Sequence, residues 1–126
     1  MSAWRWVDMP VVLAIHDRQI AEHGGADGVR DVGTIESALG RPRNLAGYGE
    51  PDAADLAAAY LFGLVRNHGF MDGNKRRAWV VARLFLLDNG YSLVFDPFEA
   101  VRMVEQAAGG TLAEADLASW FRGRLK

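Results

Sequence analysis

Apolar residues along the chain fall into helix-spaced blocks, separated by breaks that carry glycine or proline. Val11, Val12, Ile15 and Ile20 recur near helical spacing and predict a helix over 10–23, stopped by Gly24-Gly25. A short helix is expected over 34–40. Residues 41–51 have a proline near each end and two glycines inside, which predicts a loop or a short extended flap. The next helix, over 52–67, is apolar without a break from Leu56 to Val65, so it must be buried on most sides. Asp55 sits in its first turn, where a negative charge suits the dipole. A polar loop over 68–73 leads into a helix over 74–89, again apolar nearly all round, with Gly90 as its stop. Residues 91–95 read as extended. Asp96-Pro97-Phe98-Glu99 then offers an N-cap, a proline at the first helical position and an early acid, predicting a helix to 108 that Gly109-Gly110 ends. Thr111 and Glu114 have the spacing of a capping box for a last helix reaching about 122. The expected fold is all-α, a single compact domain over 1–126 made of about six helices.

Composition narrows the functional classes. A chain of 126 residues, half of them apolar and 24% charged, suits one soluble domain. It has no cysteine, which excludes thiolate catalysis, disulfides and cysteine-ligated metal. A formal charge of −2 is unlike the basic surface of a nucleic-acid gripper, so no direct nucleic-acid binding is expected. The longest apolar run is too short to span a bilayer, and the start lacks the apolar stretch of a secretory signal. The expected location is the cytoplasm, with no membrane partner. Trp4, Trp6, Trp79 and Trp120 read most simply as core or partner-contact aromatics.

Candidate chemistry concentrates between the two most apolar helices, in His68-Gly-Phe-Met-Asp72-Gly-Asn-Lys-Arg-Arg77. Gly73 permits a tight turn and Asn74 opens the following helix. The free N–H groups of such a helix start favour an anion. Lys75 and Arg76 occupy the first turn against the dipole, and a bound phosphate resolves that conflict. Taken singly, Asp72 and Asn74 are ordinary caps, His68 is a hydrogen-bonded structural histidine and the three cations are solvated. Their combination within one short segment at a helix start is what points to a site.

This segment resembles the loop of the Fic/Doc (Fido) family, which reads roughly His-x-Phe-x-Asp/Glu-Gly/Ala-Asn. Its Asn-Lys-Arg ending is similar to the Doc branch, the death-on-curing toxins of toxin–antitoxin pairs. Residues 35–42, Tyr48-Gly49, residues 55–58 and Leu64-Val-Arg-Asn-His68 extend the likeness over nearly the whole chain. The adenylylating Fic group has Gly-Asn-Gly-Arg and a further arginine; here Lys75 replaces the second glycine and Trp79 the further arginine. Gly69 stands where proline is common.

The resemblance implies a Fido-type bundle with a short flap near the active-site loop. It further implies transfer of the γ-phosphate of ATP to a protein serine or threonine hydroxyl. In that scheme His68 is the general base, Asp72 holds Mg²⁺, and Gly73, Asn74, Lys75 and Arg76 cradle phosphate. The implied target is elongation factor Tu, docked by residues 41–51, with translation inhibited as the result. Many Fic proteins restrain themselves through Ser/Thr-x-x-x-Glu-Gly/Asn, but no serine or threonine here has glutamate four residues later. Restraint by a separate, Phd-like antitoxin is therefore implied. Alternatives are adenylylation of a protein hydroxyl, a metal-dependent ribonuclease toxin and a non-catalytic binding module. Arg66 lies two residues before His68, but an ordinary ion pair explains it equally well.

Overall fold

Six helices follow one another among the described residues: α1 (Met9–His23), α2 (Val32–Tyr48), α3 (Ala53–Asn67), α4 (Asn74–Asp88), α5 (Pro97–Gly109) and α6 (Glu114–Arg122). The structure is a computed structural model, and it describes residues 3–24, 31–67 and 74–126, apart from the side chain of His23. The expected polar loop over 68–73 lies outside the described residues, so its flanks define the site.

Helix α3 is the axis of the molecule, with α2, α4, α5 and α6 packed around it. Leu56, Tyr60, Leu61, Leu64 and the three alanines between Leu56 and Tyr60 are fully or nearly fully buried. The continuous apolar run is thus explained by neighbours on several sides. Gly63 lets α2 come close: a Cβ there would stand 3.1 Å from Arg41 Cδ and 3.4 Å from Ala38 Cβ. Tyr60 receives the Val7 amide on its hydroxyl at 2.9 Å, fixing the N-terminal segment. Burial pushes this phenol up to about 12. Phe85 of α4 meets Trp4, Trp6 and Tyr60 at ring-centroid distances of 5.9, 6.0 and 5.2 Å.

Helix ends show which local signals governed. At the start of α3, Asp52 Oδ1 accepts the Asp55 amide at 2.8 Å while Asp55 Oδ2 accepts the Asp52 amide at 3.0 Å. These two acids form a reciprocal cap of the capping-box kind. Asp96 caps α5 as expected, accepting the Phe98 amide at 2.9 Å. The box expected at Thr111 and Glu114 does not form. Thr111 Oγ1 instead donates to the Gln106 carbonyl at 3.3 Å, and α6 begins at Glu114, with Asp116 accepting the Ala113 amide at 3.3 Å.

The larger correction concerns residues 41–51. The expected loop or flap is helical as far as Tyr48, with the buried Pro42 inside α2. Proline forfeits one backbone bond in a helix interior, but packing of α2 on α3 across Gly63 outweighs that loss. Only Gly49 to Asp52 connect the two helices, and they enter α3 at the end opposite Asn67. The extended stretch expected over 91–95 is present as one antiparallel bridge, Leu93 to Leu125.

Candidate functional site

Two helix ends frame the site: the C-terminal turn of α3, with Arg66 and Asn67, and the first turn of α4, with Asn74, Lys75 and Arg76. Of the residues expected to act, His68, Asp72 and Gly73 lie outside the described residues. Asn74 is the first residue of α4, where the sequence placed the helix start, and is half-buried. Lys75 and Arg76 are exposed beside it. The first turn of α4 contains no acid. Two cations therefore stand at the positive end of a helix dipole, an arrangement that an anion relieves.

The third cation of the motif behaves differently. Arg77 is fully buried, and its Nη2 lies 3.5 Å from the carbonyl oxygen of His16, itself only 2% exposed. Its reading as a solvated cation is corrected: Arg77 ties the start of α4 to α1. His16 is buried on α1, away from any exposed ligand role.

Lys75 and Arg76 form one side of a cavity of about 290 Å³ whose remaining wall comes from Trp79, Phe95, Pro97, Ala100, Val101, Val104 and Glu105. The helical period explains the wall on α4. Trp79 lies three and four residues after Arg76 and Lys75, so all three share a face. Its indole is braced by Phe95 at 5.2 Å, Trp120 at 6.1 Å and Phe121 at 6.4 Å between ring centroids. Arg83 lies 5.8 Å from the Trp79 ring and 5.2 Å from that of Phe95. A rigid apolar wall with cations at its mouth suits a ligand having a flat apolar part and an anionic tail. The expectation of core aromatics holds for Trp79 in part, since it also lines this cavity. Sequence reasoning missed the α5 wall, because no local pattern links Phe95, Val101 and Val104 to a helix start some twenty residues earlier.

Arg66 closes the other flank. Its guanidinium lies 5.5 Å from the Phe62 ring centroid, and a Cβ on Gly110 would come within 3.1 Å of its Nη1. It thus rests against the turn between α5 and α6. Among the described residues, no three His, Asp or Glu side chains gather in a metal-holding group. No helix is long and apolar enough to cross a membrane among those residues.

Residues 6–86 match the model of the Fic/DOC family. The chain is 35% identical over 119 residues to "Protein kinase doc" of Escherichia phage P1, an alignment covering 94% of each chain. It is 46% identical over 76 residues to "Toxin Doc" of Mycolicibacterium smegmatis, covering 58% of each.

Proposed function

The chain belongs to the Fic/DOC family, and on that premise we propose that it is a toxin of the Doc kind, acting as a protein kinase that moves the γ-phosphate of ATP to a serine or threonine hydroxyl. The observation that carries this reading is the pairing of Lys75 and Arg76 at the start of α4 with an adjoining apolar cavity. A cavity of this size takes a base or nucleoside rather than a whole triphosphate. The phosphates then lie outside it, at the cations and the helix N-terminus. The relatives named as a kinase and as a toxin support the same reading.

In the transfer, the acceptor hydroxyl oxygen forms a bond to the γ-phosphorus while the bridging bond between the β- and γ-phosphates breaks, and ADP leaves. His68 takes the hydroxyl proton, a task its near-neutral intrinsic pKa suits. Lys75, Arg76 and the amides of Gly73 and Asn74 stabilise the charge that develops on phosphate oxygens. The Lys75 ammonium fills space that a glycine would leave open for a diphosphate against the backbone, which favours presentation of the terminal phosphate. Asp72 would hold Mg²⁺, whose positive charge offsets the phosphates. A carboxylate three residues before Lys75 in the sequence offers the oxygen donor that such a hard ion takes.

The target in this proposal is a translation protein, elongation factor Tu, met in the cytoplasm. A separate Phd-like antitoxin restrains the enzyme. The test incubates the purified chain with Mg²⁺, elongation factor Tu and ATP labelled at either the α or the γ position. Label reaching protein only from the γ position is expected. Label from the α position would make the chain an adenylyltransferase, and no label from either would defeat the kinase reading.

A further inference from the structure

A second concavity lies at the end of α3 opposite the proposed kinase site. It is a groove of about 500 Å³ where the end of α2, the start of α3 and the start of α6 meet. Helix α3 has 15 residues and so is about 22 Å long. Its first turn borders this groove, whereas its last turn leads to His68. Whatever enters the groove is therefore not the hydroxyl being phosphorylated.

The lining combines apolar surface with carboxylates. Leu45, Tyr48, Pro51, Ala115 and Ala118 supply the first, and Glu50, Asp55 and Glu114 the second. Tyr48 is 94% exposed at the last position of α2, and Leu45, one turn earlier on the same face, is 39% exposed. Together they form a ridge, because both also line a second depression of about 240 Å³ with Arg41 and Asn44. A nearly bare phenol beside an exposed leucine, with hollows alongside, is a surface built for side-chain contact rather than one that stabilises the isolated fold.

Charge indicates the occupant. Glu114 pairs with Arg41, and Arg122 pairs with both Asp52 and Asp55. Glu50 adds a further carboxylate on the exposed connection between α2 and α3. Four carboxylates against two guanidiniums leave two negative charges in excess around an apolar floor. Asp52 remains ionised throughout the physiological range, since its partner Arg122 lowers it to about 2.

We propose that this groove docks a basic peptide segment of a partner protein, with an apolar side chain seated against Leu45 and Tyr48 and flanking Lys or Arg facing Glu50 and Asp55. The excess of carboxylates disfavours nucleic acid and anionic lipid. The site stands independently of the kinase reading, because its ligand neither meets the α4 cations nor enters the cavity beside them.

The test selects a random dodecapeptide display library on the purified full chain and measures the selected peptides by fluorescence anisotropy. Enrichment of peptides with a large apolar residue flanked by Lys or Arg is expected. Their affinity should fall at least about tenfold in Tyr48→Ala and in Glu50→Lys, and severalfold as salt rises from about 0.05 to 0.5 M. Both substitutions lie on exposed side chains, and circular dichroism checks the fold. ATP should leave peptide binding unchanged. Failure to enrich any peptide, enrichment of acidic peptides, or binding indifferent to both substitutions would overturn the proposal. So would displacement by ATP, which would move the peptide to the kinase site. A dimer in sedimentation that Tyr48→Ala dissolves would assign the groove to a second copy and overturn it as well.

Discussion

Arg122 and Asp52 join the end of α6 to the start of α3: Nε lies 2.8 Å from Oδ2 and Nη2 lies 3.2 Å from Oδ1. The same guanidinium reaches Asp55 Oδ1 at 2.8 Å, so one cation spans both members of the α3 cap. The hydrogen bond from Arg122, with the Asp55 amide helping, lowers Asp52 from its ordinary 3.8 to about 2. Because folding makes this carboxyl more acidic, its stabilising contribution is whole above pH 3.8 and is lost as pH falls through about 2. The Asp52 side chain is half exposed, at 51%, so solvent screening limits the contribution to about 0.5–1 kcal/mol. Asp52→Asn keeps an oxygen for the Asp55 amide but sets an NH2 donor against Arg122 Nε, removing the charge and that hydrogen bond together. Urea unfolding should show the variant less stable by that amount at neutral pH, with the gap closing toward pH 2 and in high salt. An undiminished gap at pH 2 would show that the amide geometry, not the charge, was at stake.

His68→Ala should fold and lose transfer by roughly 10²–10⁴-fold, the usual contribution of a positioned general base. Rates of γ-label incorporation, with circular dichroism as the folding check, measure this. Asp72→Asn should fail through weakened Mg²⁺ binding and recover in part at high Mg²⁺. Recovery by Mg²⁺ separates a ligand from a capping residue, which added metal would not help.

Lys75 and Arg76 should be separable. Lys75→Gly widens the anion site on the backbone and removes a charge, so incorporation of γ-label should fall about 10²-fold or more. Arg76→Ala should lose transfer from either end of the nucleotide, because its charge serves a phosphate in both orientations. Trp79 still stands where an adenylylating relative carries arginine, so α-label should stay weak in Lys75→Gly. Strong α-label from the unmutated chain would remove Lys75 from its selecting role.

The starts of α5 and α6 were legible in the sequence to different degrees. Asp96-Pro97 gives a correct start because the Asp96 carboxylate accepts the Phe98 amide of the helix it opens. Thr111 offered the same kind of signal and misled, since its hydroxyl is taken by the Gln106 carbonyl of the preceding helix. Pro42 read as a break because the compensating contact, Ala38 and Arg41 against Gly63, is some twenty residues away. The α4 cations were readable as a local conflict with the dipole. The cavity beside them was not, because α5 builds most of it. Arg77 could not be told from its two exposed neighbours until helical phase placed it against α1.

Gly110 offers a test of the flank that Arg66 closes. Its φ of 85° lies in the left-handed region, where a side chain costs about 1 kcal/mol. An alanine Cβ there would also come 3.1 Å from Arg66 Nη1, so the guanidinium would have to give by a few tenths of an ångström. Gly109, one residue earlier, is helical, and a Cβ on it would meet nothing within 4 Å. Gly109→Ala should therefore be neutral or stabilise by up to about 1 kcal/mol, because alanine loses less backbone entropy in a helix. Gly110→Ala should destabilise by about 1–2 kcal/mol, measured by urea unfolding of both variants together. Gly110→Ala in an Arg66→Ala background should recover the part due to contact and keep the part due to φ. Equal losses with and without Arg66 would mean that the guanidinium yields at no cost, and that backbone conformation alone makes glycine necessary at this turn.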